Sequence, residues 1–410
     1  MVKSHTVFVF FSLLILIGGL FNYNFILNQY EYFIYICYLC ISIVFFSKKI
    51  LLPPSYLICF VAYLFIVFVN YLVTTYSPNF LYFAIGLIFS LLPFFHYILS
   101  YNYKFDDNQI INYIDIIVKI VLIIDCISIL ETYVFRTVVP DKRLIDTSIF
   151  WLQYLASFNN QALVLGIALF KLTRKKKYIY IVLLFALYAI LTLQLKTYIG
   201  LLTIFVCYSI IYSKRNLVIK ILPLIPIVLL AFVGLMQIDI ISNKVDNYIF
   251  MYYTNTDGIA RNELYNTAFQ IALDKFPLGT GQGTFGSIPV NMYDSRVYYD
   301  YHIDNVYGLS KYHDVNFKMD THWSSILGEN GVFGTILYLL LFIHPIRYVS
   351  RYKNHFRDYY FIILACIITL MIESIVLNLA SRLTFIMIYS GLTGIIVRRI
   401  SDNNKTAVIL

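Results

Sequence analysis

Charge is the scarcest property of this sequence: only 13% of its 410 residues are charged, whereas 60% are hydrophobic. The mean hydropathy is +0.75, and several apolar segments approach the roughly 20 residues that a helix needs to cross a bilayer. This composition excludes a water-soluble domain, because such a domain has no means of burying so much apolar surface. Since the backbone in lipid must satisfy its own hydrogen bonds, the sequence predicts an all-α polytopic membrane protein.

Cysteine is also sparse, and its placement excludes a disulfide framework. All six cysteines lie in apolar segments, and none lies in the long polar segment 237–321. Cys37 and Cys40 have the spacing of a redox motif, but no βαβ unit surrounds them. We interpret them as packing residues, because a free cysteine behaves as a small hydrophobic side chain.

The net charge of +9 does not indicate a nucleic-acid-binding protein, because the basic residues cluster in short loops between apolar segments. Short basic loops mark the cytoplasmic side of a membrane. Segment 237–321 has the opposite balance, with six basic and ten acidic residues. We therefore expect both termini in the cytoplasm and segment 237–321 outside it. The basic clusters are Lys48–Lys49, Lys171–Lys177, Lys214–Arg215, Arg347–Arg357 and Arg398–Arg399.

The apolar pattern predicts about twelve transmembrane helices. With this number, every basic cluster falls on the same face as Lys3. The predicted domains are 1–236 (helices one to nine), 237–321 (a large, partly helical periplasmic loop) and 322–410 (helices ten to twelve and a cytoplasmic tail). The predicted spans are 6–21, 32–47, 54–73, 80–100, 110–131, 149–170, 178–195, 198–213, 217–236, 323–345, 359–379 and 384–398.

The polar segment contains a helix with clear start and stop signals. Thr256 or Asp257 can cap it, and "IARNELYNTAFQIALDKF" follows before the terminator Pro277-Leu-Gly279. Its expected inward face is Ile259, Leu264, Ala268, Ile271 and Ala272.

The next stretch, "PLGTGQGTFG", formally matches a dinucleotide-binding fingerprint. We reject that match because no strand or βαβ unit surrounds it. Its glycines either allow a close approach of the backbone to a ligand or form a tight turn back to the membrane.

Two residues beside these motifs are candidates for chemistry. Arg261, in the first turn of the loop helix, is either a clamp for phosphate oxygens or a solvated surface arginine. His322 begins the apolar span of "THWSSILGENGVFG", with Glu329 two turns deeper. Imidazole titrates near neutral pH and can take a proton from a sugar hydroxyl, although a histidine at this boundary can also be a simple interfacial group.

Polar groups within the apolar spans leave a transport pathway open as an alternative. Asp115 and Lys119 are four residues apart and can neutralise each other, as expected of neighbours on one helix face. Arg382 lies near an external helix end, where it can bind lipid phosphates. We expect no metal and no cofactor, because the histidines and aspartates between 300 and 322 show no recognised ligand spacing.

The order of these signals over residues 258–335 resembles the O-antigen polymerase and O-antigen ligase superfamily. "GIARNELYNTAFQIALDKFPLGTGQGTF" and then "THWSSILGENGVFG" match the family's arginine-bearing helix, its glycine turn, and a histidine that leads into a helix with glutamate and glycines. In this resemblance Arg261 and His322 are catalytic. The implied substrate-binding residues are Gly279, Gly281, Gly283, Glu329, Trp323 and Arg382. The departure is Trp323, where the family usually has asparagine.

The resemblance implies a metal-independent membrane glycosyltransferase in the bacterial inner membrane. Its donor and acceptor would be undecaprenyl-pyrophosphate-linked oligosaccharides, and membrane lipids, a chain-length regulator and a flippase are further expected partners. We favour a repeat-unit polymerase of O-antigen or capsule. The alternatives are a ligase that transfers glycan to the lipid A core and, in a different class, a polysaccharide flippase or transporter. A transporter would tolerate deletion of residues 258–320 better than an enzyme.

Overall fold

The structure, a computed structural model, describes residues 4–20, 33–42, 51–76, 78–134, 155–192, 194–213, 260–311, 316–380 and 382–403. Regular secondary structure in these ranges is helical, and no strand occurs among them. This finding confirms the all-α prediction. The predicted span 217–236 and the capping residues Thr256 and Asp257 lie outside the described residues.

The first eight helices precede the polar segment, and each overlaps a predicted span. Their bounds are α1 Ser4–Leu20, α2 Phe33–Ser42, α3 Pro54–Val73, α4 Phe80–Asn102, α5 Asp107–Val134, α6 Leu155–Thr173, α7 Lys177–Leu191 and α8 Leu195–Tyr212. In the polar segment lie α9 Ala260–Asp274, a 3₁₀ turn at Ile288–Asn291 and α10 Arg296–Asp300. The remaining helices are α11 His322–Ser350, α12 Arg357–Glu373 and α13 Leu383–Asn403, the last with a π-helical turn at Met387–Gly391.

Among the described helices, α3, α4, α11 and α13 are long and apolar enough to cross a membrane. The count of twelve therefore stays a prediction. The α3 helix shows how the sequence sorts its two faces. Val61, Phe65 and Leu72 are exposed, the last by 79%, whereas Tyr63 and Val67 are buried against the bundle. A continuous exposed apolar stripe of this kind fits contact with lipid rather than water.

The bundle is assembled from neighbouring pairs: α3 packs on α11, α4 on α13, and α12 on α6 and α8. The polar segment has a second, separate hydrophobic core. Leu264, Ala268, Ile271 and Ala272 of α9 are buried, which confirms those positions of the predicted inward face. Phe285 and Val297 belong to the same core, so the described part of the segment is a packed unit. The α9 helix also packs against α11 and so places Arg261 beside the start of that helix.

Candidate functional site

The α11 helix is broken at Gly331. A turn of the polar segment, residues 277–287 and called here the glycine turn, docks against the break. Gly331 has φ 64° and ψ −167°, a conformation that is essentially restricted to glycine. The break releases the backbone carbonyls of Gly328 and Glu329. The amide of Thr280 donates to the first at 2.9 Å, and the amide of Gly281 donates to the second at 3.0 Å. The turn therefore substitutes for the helical hydrogen bonds that the break removes.

The glycines of this turn lie where the backbone has no room for a side chain. A Cβ at Gly279 would meet the backbone of Gly328 and Glu329, and a Cβ at Gly331 would meet the backbone of Leu278. Gly281, at φ 99°, is also held from the other side of the turn, because Thr74 Oγ1 donates to the carbonyl of Thr280 at 2.6 Å. Glycine is thus required at these positions because the turn docks closely against the backbone of the broken helix.

The Glu329 carboxylate fills the centre of the same turn and is fully buried. Its Oε1 accepts hydrogen bonds from the amide of Phe285 at 2.9 Å and from the hydroxyl of Ser287 at 2.5 Å. Its Oε2 accepts from Gln282 Nε2 at 2.7 Å. A glycine-rich loop that exposes amides to an anion is a familiar phosphate site, but here the chain itself supplies the anion. A substrate-binding role for Gly279, Gly281, Gly283 and Glu329 stays a prediction.

Arg261 lies on α9 and pairs with an acidic residue that directly precedes α11. Its Nη2 is 2.9 Å from Asp320 Oδ2, and the two side chains are 37% and 29% exposed. Burial raises the pKa of Asp320 above its usual value, while the neighbouring guanidinium acts in the opposite direction. The Nε of Arg261 is buried and has no hydrogen-bond partner in the described part of the chain. The guanidinium is therefore partly paired and partly open.

His322 begins α11 and is only 3% exposed. Its Nδ1 is 3.1 Å from Asn378 Oδ1, and its Nε2 is 3.1 Å from Tyr338 Oη. An amide oxygen can only accept, so this arrangement gives Nδ1 the proton and leaves Nε2 as the basic nitrogen that accepts from Tyr338. The sequence predicted a histidine at the membrane boundary, and the structure turns its ring inward onto the bundle.

The segment that follows α12 ties these two candidates together. The amide of His322 donates to the carbonyl of Ser374 at 3.3 Å, and Asn378 contacts the imidazole. From α9, Tyr265 Oη donates to the carbonyl of Ile375 at 2.7 Å. Asp320, the partner of Arg261, lies two residues before His322, so their Cα atoms are at most about 7 Å apart. The Arg261–Asp320 pair and the backbone of His322 therefore lie at the same corner of the molecule, beside the start of α11, and the imidazole turns from there into the bundle.

The two remaining predicted site residues border this corner. Trp323 donates its indole N–H to the carbonyl of Met371 at 2.8 Å and packs edge-on against Tyr338. Its ring is thus held in the bundle and is only partly exposed. Arg382 lies at the N-terminus of α13, four residues after Asn378. Sugar or lipid binding by either residue stays a prediction.

Some polar groups of the bundle form pairs, whereas the buried side chains of His96 and Asp125 have no hydrogen-bond partner in the described part of the chain. Lys119 Nζ lies 2.5 Å from Asp115 Oδ2, which confirms the predicted neutralisation. Asn160 donates to Glu373 Oε1 at 2.6 Å, so a second buried acid is held by an amide. No group of three or more potential metal ligands occurs among the described residues. The candidate ligands His313 and Asp314 lie outside them.

Several residues of this corner were not assigned to it from the sequence. Asn378 and Tyr338, the partners of the imidazole, lie 56 and 16 residues away from it along the chain and carry no local signal. The sequence offers Asp320 only as a possible metal ligand. Near the glycine turn, Asn70 carries a detectable signal, since a lone amide in the apolar α3 needs a buried acceptor. It donates to the carbonyl of Glu329 at 2.6 Å.

The described residues define a helical membrane protein in which a packed polar segment completes a broken membrane helix beside a guanidinium and an imidazole. Residues 179–339 match the family model described as O-antigen ligase. This match confirms the resemblance predicted from the loop motifs, and it contains Arg261, the glycine turn, His322 and Glu329. It supports an O-antigen polymerase or ligase in general and does not separate the two. No curated protein matches the chain.

Proposed function

We propose that this protein is a polysaccharide repeat-unit polymerase of the bacterial cytoplasmic membrane. It would transfer an undecaprenyl-pyrophosphate-linked glycan to the next lipid-linked repeat unit at the outer face of that membrane, with both termini in the cytoplasm. The observation that supports the proposal is that Arg261 pairs with Asp320, two residues before His322. One charged group suited to diphosphate and one base suited to a sugar hydroxyl lie beside the same three-residue stretch, 320–322.

In this reaction the acceptor hydroxyl oxygen attacks the anomeric carbon of the donor sugar, and the bond from that carbon to the diphosphate oxygen breaks. Negative charge grows on the departing diphosphate as the bond breaks. A preorganised cation stabilises this charge, and the guanidinium of Arg261, whose side chain is 37% exposed, is suited to phosphate oxygens. The acceptor proton moves to Nε2 of His322.

The burial of His322 sets a condition on this step. Nε2 is the basic nitrogen, but it faces Tyr338 rather than an open surface. The acceptor hydroxyl must therefore replace the Tyr338 hydroxyl as the hydrogen-bond partner of Nε2. Catalytic hydrogen bonds often form only in the substrate complex, so the free-state contact is compatible with a base at this position.

The proposal is tested with the variants R261A and H322A in a strain that depends on this protein for polymer. Both variants should enter the membrane at the wild-type level and yield only single repeat units. The matched control is R296A, because Arg296 is also in the first turn of a helix in the polar segment and also pairs with an aspartate, Asp300. Wild-type chain lengths from both site variants would contradict the assignment.

A ligase is the second candidate, because the family description names ligases. The two activities share a donor and differ in the acceptor. In a strain that makes lipopolysaccharide, loss of a polymerase leaves the core with one repeat unit, whereas loss of a ligase leaves the bare core. The proposal of a polymerase fails if deletion of the gene gives bare core and complementation restores the attached glycan.

A further inference from the structure

A polar cavity of about 310 Å³ lies in the polar segment, apart from the glycine turn and the imidazole. Its walls include Asn291, Tyr293, Asp294, Lys311, Asn316 and Lys318. Its volume is at the lower end of the range of pockets that hold small molecules, so it suits a single sugar residue better than a longer ligand.

The cavity is built onto the elements that position the site. Tyr293 Oη donates to the carbonyl of Gly283 in the glycine turn at 2.8 Å, and its ring stacks on Tyr82 of α4 with centroids 4.6 Å apart. On the other wall, Lys318 lies two residues before Asp320, so their Cα atoms are at most about 7 Å apart. The Lys318 wall of the cavity is therefore close along the chain to the partner of Arg261, although the Arg261–Asp320 pair does not line the cavity.

The charges that line the cavity do not cancel. Lys311 Nζ is 2.7 Å from Asp294 Oδ2, and these two charges neutralise each other. Lys318 is 8% exposed and forms no ion pair within the described ranges, and its Nζ lies 5.1 Å from the centre of the Tyr298 ring. Two lysines and one aspartate leave one net positive charge in the cavity.

The Tyr298 ring compensates the Lys318 charge only in part, because no carboxylate pairs with Lys318 within the described ranges. Burial lowers the pKa of Lys318 from its usual value; Asp294 opposes this change, and Lys311 adds to it. A buried charge is costly unless it is paired. A ligand anion of one negative charge would supply the pair, and the amides of Asn291 and Asn316 offer donors and acceptors for hydroxyl groups.

We propose that this cavity is a subsite for one acidic sugar residue of the glycan, with the carboxylate of a uronic-acid-type sugar paired to Lys318. The inference rests on the proposed function, since it names a feature of the glycan that the reaction would use. Tyr293 supplies an aromatic surface, and the Lys311–Asp294 and Asn316–Asn291 pairs supply polar contacts around the ring.

The test is a binding measurement on the full-length protein in phosphatidylcholine nanodiscs. The probes are a methyl galacturonoside, the matching neutral methyl galactoside and inorganic pyrophosphate, followed by calorimetry and ligand-observed NMR. Wild-type protein should bind the acidic sugar about tenfold or more tightly than the neutral one, which is the typical range for a hydrogen bond to a charged group. This preference is measured without any substitution, so it does not depend on the folding of a variant.

Substitutions then assign the preference to one residue. K318M should abolish the preference, and K318R should retain it. The matched control is K275M, because Lys275 also lies over a tyrosine ring, Tyr76 at 5.3 Å, but outside the cavity walls named above. Equal binding of both sugars by wild-type protein overturns the inference. Displacement of the acidic sugar by pyrophosphate in a manner that depends on Lys318 also overturns it, because the cavity would then hold the leaving group.

Binding is measured without turnover, which separates this inference from the proposed function. A strong Lys318-dependent preference together with wild-type polymer from R261A and H322A would leave the subsite standing and remove the catalytic assignment. Loss of polymer in those two variants without any preference for the acidic sugar would remove the subsite alone.

Discussion

The buried carboxylate of Glu329 gives the sharpest test of what the glycine turn does. Substitution to alanine removes the acceptor of two buried donors, the Phe285 amide and the Gln282 side-chain amide, and of the half-buried Ser287 hydroxyl. Each buried donor left without a partner costs about 1–3 kcal/mol. The two buried donors thus account for a loss of about 2–6 kcal/mol of folding free energy, and the half-buried Ser287 hydroxyl adds less because water can reach it.

Substitution to glutamine separates this architectural role from a role in substrate binding. The amide keeps the size of the side chain and one acceptor oxygen for the Phe285 amide and the Ser287 hydroxyl. Its NH₂ group can donate to Gln282 Oε1, which has no partner in the described structure, once the Gln282 amide flips and gives up its 3.2 Å hydrogen bond to the carbonyl of Gly86. Replacing a charged acceptor by a neutral one weakens each hydrogen bond by about 1 kcal/mol, so E329Q should fold.

The assay is thermal unfolding in nanodiscs, followed by tryptophan fluorescence, together with chain length of the polymer in cells. E329A should show a large fall in the apparent Tm and loss of product. E329Q should show a smaller fall than E329A, because its three hydrogen bonds are weakened rather than lost, and it should retain polymer. A stable E329Q protein that makes no polymer would refute the reasoning, because the negative charge of Glu329 would then act on substrate rather than hold the turn.

Three further predictions concern Tyr338, Asp320 and Gly331. Y338F should retain polymer, because the acceptor hydroxyl takes the place of the tyrosine hydroxyl at the imidazole; a folded variant without product would show instead that the proton passes through that tyrosine. The pKa of Asp320 is raised, so acidification should protonate this carboxyl at a pH above the usual range for aspartate. Protonation should release Arg261 and lower the KM for the lipid-linked donor. D320N should remove this pH dependence, and a pH profile that D320N leaves unchanged would contradict the prediction. G331A should lower the apparent Tm markedly, because the glycine-only backbone costs about 1–3 kcal/mol before any clash. The control G166A, whose new Cβ meets one side-chain atom at 3.1 Å, should change it little, and equal shifts in the two variants would argue against a built-in break.

Much of the fold was predictable because lipid restricts the choice of structure. A long apolar run in a bilayer has few alternatives to a helix, and the predicted span 54–73 agrees with Pro54–Val73. The loop helix was predictable for a different reason, since its apolar spacing and the Pro277–Gly279 terminator are local signals. The break in α11 was not, because "GENG" reads equally well as a close helix contact, and only the distant turn at 277–281 decides between the two.

In the candidate site, too, some features were predictable from local sequence and others were not. Arg261 and His322 were predictable from their order in the chain, since each opens a helix and is followed by recognisable glycine motifs. The pairing of Arg261 with Asp320 and of His322 with Asn378 was not predictable. Those contacts depend on how α9, α11 and the segment after α12 pack together, and no local pattern of residues encodes that arrangement.

Because the turn docks into α11, the polar segment supplies hydrogen bonds on which the folding of that membrane helix depends. The chain makes the turn before it makes the helix that receives it, so residues 277–287 wait without their partners until Gly328 and Glu329 have been synthesised. Excision of residues 258–320 would strip donors from two backbone carbonyls and from one carboxylate within a membrane helix. Such a truncation would therefore inactivate a transporter as completely as an enzyme. Point substitutions at Arg261 and His322 are the changes that distinguish the two classes.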